Sequence, residues 1–172
     1  MRLLMFGLVV LVMAGCDAIR TVYVEVVSET TVDSAGPLGG TFTELGFNQF
    51  ASFDVSNSQT FQNNDANRDN IGDSYVTHFS LKVTDPDDQT LSFIEDMEVY
   101  IGDGNTRTRV AYLGDGQNTD VRELSLQVHD DREIGQYLRA EETVVDVEAS
   151  GRPPEEDTTL EAVMGFSIQL QF

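Results

Sequence analysis

Between residues 65 and 73 the chain reads Asp-Ala-Asn-Arg-Asp-Asn-Ile-Gly-Asp. Asp65, Asn67 and Asp69 stand at alternate positions, and Asp73 supplies a further carboxylate. A looped chain can turn such oxygens onto one hard cation, and calcium is the ion this donor set suits. Asn and Asp also build ordinary turns, because their side chains hydrogen-bond the backbone one or two residues on. A calcium loop and an unliganded turn are therefore both open on the residues alone. The only other metal-type ligands in a suggestive run are His129, Asp130 and Asp131, with no second histidine close by in sequence. A solvated turn explains that run as well.

The calcium run is similar to an EF-hand loop only in part. Asn70 stands where glycine makes the sharp turn, Val76 stands where a closing glutamate is usual, and no helices are expected on either side. Gly102-Asp103-Gly104 and Gly114-Asp115-Gly116 flank a short β-like run. Hairpin turns want Gly and Asp for positive φ, so these read as turns. A phosphate loop would need a following helix and usually a cation. His78 and His129 are the only histidines, and no Gly-x-Ser-x-Gly elbow exists, so a Ser-His-Asp triad has no support. Among 30 acidic residues some close pairs are inevitable, which removes any weight from paired carboxylates as glycosidase machinery. No enzyme is expected.

Cys16 carries a different chemistry. It is the only cysteine, and it follows Arg2, an apolar run from Leu3 to Met13, and the small residues Ala14 and Gly15. A cation, an apolar centre and small residues describe an export signal. The run is well short of the roughly 20 apolar residues that cross a bilayer as a helix. Met13-Ala14-Gly15-Cys16 resembles the lipobox read by the lipoprotein signal peptidase of bacteria, with Met13 in place of the more usual Leu. The resemblance implies cleavage before Cys16, a diacylglyceryl thioether on its sulfur, and often acylation of the new amine. Residues 1–15 would then be a cleaved signal and 16–172 a lipid-anchored domain of the bacterial cell envelope, facing the periplasm or the cell surface. Two or three acyl chains hold a protein stably where one does not. Asp17 resembles the residue that keeps enterobacterial lipoproteins in the inner membrane, a rule that varies between bacterial groups, so the leaflet stays open. An ordinary signal with an incidental cysteine is the alternative.

The elements that would position these residues are strands. The formal net charge is −20, and loss of Arg2 with the signal makes it −21. Such a field repels nucleic acid and anionic headgroups, so no nucleic-acid partner is expected. The same composition suits salty surroundings, where screening limits self-repulsion. With Cys16 committed to lipid, no intramolecular disulfide can form, and the domain must rest on packing.

Period-two alternation dominates the chain. Leu160, Ala162, Met164, Phe166, Ile168, Leu170 and Phe172 share one face of a long C-terminal strand. Tyr75, Phe79, Leu81 and Val83 alternate with Val76, His78, Ser80 and Lys82, and Asp85-Pro86-Asp87-Asp88 supplies a turn. Met97, Val99 and Ile101 mark another strand, as do the runs 109–113, 121–128, 22–26, 50–56 and 143–149. One short helix is expected, capped by Asp130 or Asp131, with Ile134, Tyr137 and Leu138 on one face. The fold expected is all-β, an antiparallel sandwich of about eight strands with one short helix. In general character it resembles small β-sandwich lipoproteins of unassigned function.

A small outer-membrane barrel is a rival, because the ending Gly-Phe-Ser-Ile-Gln-Leu-Gln-Phe loosely resembles the terminal signal of such barrels. Against it stand the lipobox, middle strands too short for about 9–11 membrane-crossing residues, and the absence of Trp. Phe42, Phe47, Phe50, Phe53 and Phe61 cluster where alternation is poor; they are expected in the core, and any exposed part would mark a partner site. The expectation is a non-enzymatic, lipid-anchored binding or structural module with an envelope or surface partner and no cofactor. A calcium-dependent adhesion module using Asp65, Asn67, Asp69 and Asp73 is the alternative.

Overall fold

A computed structural model describes residues 19–34 and 54–172. Cys16, the expected export signal of residues 1–15, and Phe42, Phe47, Phe50 and Phe53 lie outside the described residues. Eight antiparallel strands run in chain order: β1 (Ile19–Val32), β2 (Ile71–Asp85), β3 (Ile94–Gly102), β4 (Arg107–Tyr112), β5 (Glu123–Ser125), β6 (Gln127–Val128), β7 (Val144–Gly151) and β8 (Thr158–Gln171). They form two four-stranded sheets, ordered β1-β8-β2-β5 and β6-β4-β3-β7. One hydrophobic cluster draws on both sheets. This is the expected sandwich. The barrel reading is corrected: the apolar sides of the strands face a filled core, whereas a membrane barrel turns them outward to lipid.

β8 holds the centre of the first sheet. Leu160, Ala162, Met164, Phe166, Ile168 and Leu170 are all buried, so the alternation seen in the sequence holds as far as Leu170. Phe172, expected on the same buried face, instead follows the end of β8 and is half exposed. β8 is paired on one side with β1 over a continuous register from Ile19↔Gln171 to Val32↔Thr158. On its other side lies β2, with irregularities that include one between Val76 and His78.

That irregularity corrects the expected faces of β2. Thr77 is the extra residue of a bulge, and an extra residue flips the phase of everything before it. Val76 is therefore buried, while Tyr75 is turned partly outward. Phe79, Leu81 and Val83 keep the expected inward face.

The run expected as one strand over 121–128 is two. β5 pairs with β2 in the first sheet, and β6 pairs with β4 in the second. Leu126 sits at the crossing, buried, its N–H donating to the Phe79 carbonyl at 2.9 Å. A strand that changes sheets makes a corner of the sandwich.

Two short α-helices are present among the described residues, not one: α1 (Gln59–Asn63) and α2 (Gly135–Leu138). The Ser58 hydroxyl caps α1 by accepting from the Phe61 N–H, and Phe61 is fully buried as expected. Where a strand was expected at 50–56, Val55–Asn57 form a 3-10 turn capped by the Asp54 carboxylate. α2 buries Ile134, Tyr137 and Leu138, but neither Asp130 nor Asp131 caps it, because the helix starts later than the spacing suggested. Ile134 occupies the cap position without a side-chain bond. The Glu133 carboxylate instead accepts from the N–H groups of Gly135 and Ser74, which ties α2 to β2.

Candidate functional site

The outer face of the second sheet carries a cluster of polar and aromatic side chains linked by ion pairs, cation–π contacts and hydrogen bonds. Burial sets it up. Met97, Val99 and Ile101 point into the core from β3, and Val145, Val147 and Ala149 from β7. Glu98, Tyr100, Asp146 and Glu148 must then face outward. On β4 a bulge lies opposite Val99 and Tyr100. Val110 and Ala111 are consecutive and both fully buried, so Arg109 and Tyr112, three residues apart, both reach the outer face. Without the bulge one of them would be lost to the core.

Register brings these side chains together. Tyr100 lies opposite Arg109 on one neighbour and Asp146 on the other, while Glu98 lies opposite Tyr112 and Glu148. The Arg107 guanidinium stacks 4.1 Å from the centre of the Tyr100 ring. It pairs with Glu148 and stands 3.7 Å from Asp146. Arg109 pairs with Glu98 and lies 5.1 Å from the Tyr112 ring centre. The Tyr100 hydroxyl donates to Glu98 at 2.7 Å, and the Tyr112 hydroxyl donates to the Gln127 side-chain oxygen at 2.8 Å. Behind Tyr112 stands the His129 ring, 5.0 Å between centroids.

Two arginines thus compensate three carboxylates on neighbouring strands. Solvent-screened pairs and exposed cation–π contacts of this kind add little to stability. Their larger effect is to hold four long side chains in defined positions. The Tyr100 hydroxyl and the Arg109 guanidinium hold the Glu98 carboxyl below its usual range, and the same Glu98 bond pushes the Tyr100 phenol up. At neutral pH the pair is a carboxylate and a phenol donor. An open depression of about 500 Å³ adjoins it, lined by Asp96, Glu98, Arg109, Tyr112, Asp115 and Gln127 among others.

The calcium candidates are arranged otherwise. Asp65, Asn67, Asp69 and Asp73 are all exposed. Asp65 takes a left-handed φ of 52°. The Asn67 side chain caps the 3-10 turn Arg68–Asn70 by accepting from the Asp69 N–H at 2.8 Å, and its own N–H donates to Asn70 at 2.9 Å. Asn70 also donates to the Gln171 carbonyl at 2.9 Å. Arg68 pairs with Asp54, and Asp73 has moved into β2. Among the described residues no three or more His, Cys, Asp or Glu side chains stand together as a metal group. The structure does not bring the three aspartates into one donor set. Addition of millimolar calcium is accordingly expected to leave the melting temperature where magnesium at equal ionic strength leaves it. A calcium-specific rise abolished by Asp69→Ala would reinstate the loop as a site.

The remaining sequence candidates fall into structural places. Gly104 and Gly116 adopt φ of 83° and 71°, so both Gly-Asp-Gly runs supply the positive φ of turns. Asp103 accepts from the N–H groups of Asn105 and Thr106, each at 2.9 Å. His78 lies across the middle strand of its sheet, its Nε2 3.4 Å from Glu25 on β1. It passes over Gly165, where a Cβ would come within 2.2 Å of the imidazole. Glycine there lets the side chain lie flat on the sheet. Asp130 and Asp131 are exposed beside His129.

The Arg–Tyr face escaped the sequence reading, although its outward positions follow from the inward ones. No known family model, curated protein or solved structure matches the chain.

Proposed function

We propose that the protein is a non-enzymatic, lipid-anchored module of the bacterial cell envelope, held at Cys16, that binds a protein partner through the outer face of β3, β4 and β7. The observation that carries the binding role is the preset pairing of Arg107 with Tyr100 and of Arg109 with Tyr112 on one open sheet face. Arg and Tyr are enriched where interfaces concentrate their energy. Side chains already fixed by hydrogen bonds lose less entropy on binding. The lipid anchor rests on Met13-Ala14-Gly15-Cys16 and the apolar run before it. The carboxylates around the arginines favour a partner with basic residues at the rim.

A photo-crosslinking residue placed at the exposed Asp115, with another at Glu123 on β5 as control, tests the assignment in living cells. A discrete adduct from position 115 that disappears with Arg109→Glu and Tyr112→Ser, and has no counterpart at 123, is expected. Identical patterns at both positions, or an adduct indifferent to both substitutions, would remove this face as the binding surface.

A further inference from the structure

The large apolar side chains that remain exposed among the described residues are confined to one place. Ile19 (64 %), Tyr23 (70 %) and Val27 (46 %) lie on β1, and Phe172 (47 %) directly follows β8. Ile19, Tyr23 and Val27 are four residues apart and so share the outer face of β1. Gln171 is the register partner of Ile19, which puts Phe172 at the same end of the sheet as Ile19. Thr21, Ser167, Gln169 and Gln171 fill the spaces around them on that face and carry no charge. Farther along β1 the same face bears Glu25 and Glu29. The patch is apolar at the end where the strand begins and acidic at the other.

We infer, resting on the reading of Cys16 as the lipid-bearing residue, that Ile19, Tyr23 and Phe172 sit in the interface of a neutral bilayer and hold the domain in one orientation on it. Only Asp17 and Ala18 separate Cys16 from Ile19, three residue steps with a reach of about 11 Å at most. The headgroup region is about 5–7 Å thick on each side of the hydrocarbon. A cysteine whose acyl chains are in the hydrocarbon therefore brings the start of β1 to the membrane surface. Aromatic side chains with one polar end, as Tyr23 has, favour that depth. The acidic half of β1 then points away from the lipid.

Charge decides between this occupant and a second copy of the chain. At −21, two copies repel, and pairing β1 edge to edge would bring Glu25 and Glu29 of each near those of the other. The same end also carries Asp65, Asp69 and Asp73 around the start of β2, together with Arg20, which donates to Asn64, Arg68, which pairs with Asp54, and Arg139, which donates to the Ile71 carbonyl. These carboxylates select against anionic headgroups. The surface expected is a zwitterionic one.

The mature lipidated protein in phosphatidylcholine vesicles tests the contact. Its Cys16 sulfur is blocked by the thioether, so a fluorophore attaches only to a new cysteine, either Thr21→Cys or Glu29→Cys. Quenching by a headgroup nitroxide is expected to be several-fold stronger at position 21 than at 29. Replacing Ile19, Tyr23 and Phe172 by serine should erase that difference while the protein still floats with the vesicles. Phosphatidylglycerol at low salt should weaken it. Equal quenching at both positions in protein that floats would overturn the orientation and leave the anchor standing. Protein that does not float would overturn both. Protection at position 21 that survives in detergent and falls on dilution would give the patch to a second copy instead.

Discussion

Replacing Cys16 by serine, behind an export signal that is cleaved without lipidation, is expected to move the protein from the membrane fraction to the soluble fraction almost completely. The physical reason is that acyl chains contribute about 0.8 kcal/mol for each buried methylene, so two chains hold firmly and none leaves only side chains in contact. Ile19, Tyr23 and Phe172 are too few to replace that, and a net charge of −20 or beyond works against any anionic surface. The variant should also take up no acyl label, because the thioether implied by Met13-Ala14-Gly15-Cys16 is formed on the cysteine sulfur. Fractionation together with metabolic labelling by a palmitate analogue reads both effects. A Cys16→Ser protein that still carries label, or a parent that never does, would sink the lipoprotein reading.

Phe166→Ala is expected to be the most damaging single truncation in the core. Phe166 is 1 % exposed on the central strand of its sheet, opposite Val24 on β1 and Val76 on β2. Both valines are themselves buried, so no side chain at the edge can relax into the space. Removing a buried phenyl ring costs about 3–5 kcal/mol, against a total stability of about 5–15 kcal/mol for a domain. With no disulfide to hold the chain, that loss is felt in full. Urea denaturation should show a midpoint lowered by about 2 M at an unchanged slope. A midpoint shift under about 0.5 M would mean that β8 is not the packed centre described above.

How far the fold could be read from the residues depended on local regularity. β8 was legible from Leu160 to Leu170 because no bulge interrupts it there, although Phe172, expected on its buried face, is exposed beyond its end. β2 was legible as a strand, but its first half was assigned to the wrong faces, since a bulge at Thr77 leaves no mark in composition. The crossing at Leu126 was hidden for a similar reason. An alternating run looks the same whether its partners lie in one sheet or two. α1 was missed because a single turn capped by Ser58 gives no periodicity to detect.

The candidate face shows the deeper limit. Glu98, Tyr100, Arg107, Arg109, Asp146 and Glu148 were each identifiable as outward from the apolar residues between them. Nothing local says that β3 lies between β4 and β7, and only that neighbourhood turns six scattered polar residues into a cluster. The calcium run shows the opposite case, a suggestive spacing whose aspartates the fold does not gather into one group among the described residues. Asn67 and Asn70 bond the backbone, and Asp73 is drawn into a strand.

The pairing of β1 with β8 has a mechanical consequence. A domain held at the start of β1 and pulled by something bound to the far sheet carries the load along β1 itself. The load leaves β1 sideways through the ladder to β8, from Ile19↔Gln171 to Val32↔Thr158. In that direction the rungs are sheared together and share the force, whereas peeling would break them one after another. If the chain is anchored at Cys16 as proposed, β1 is a clamp as well as an edge, and its resistance to extraction is set by how slowly the ladder opens under tension and not by equilibrium stability.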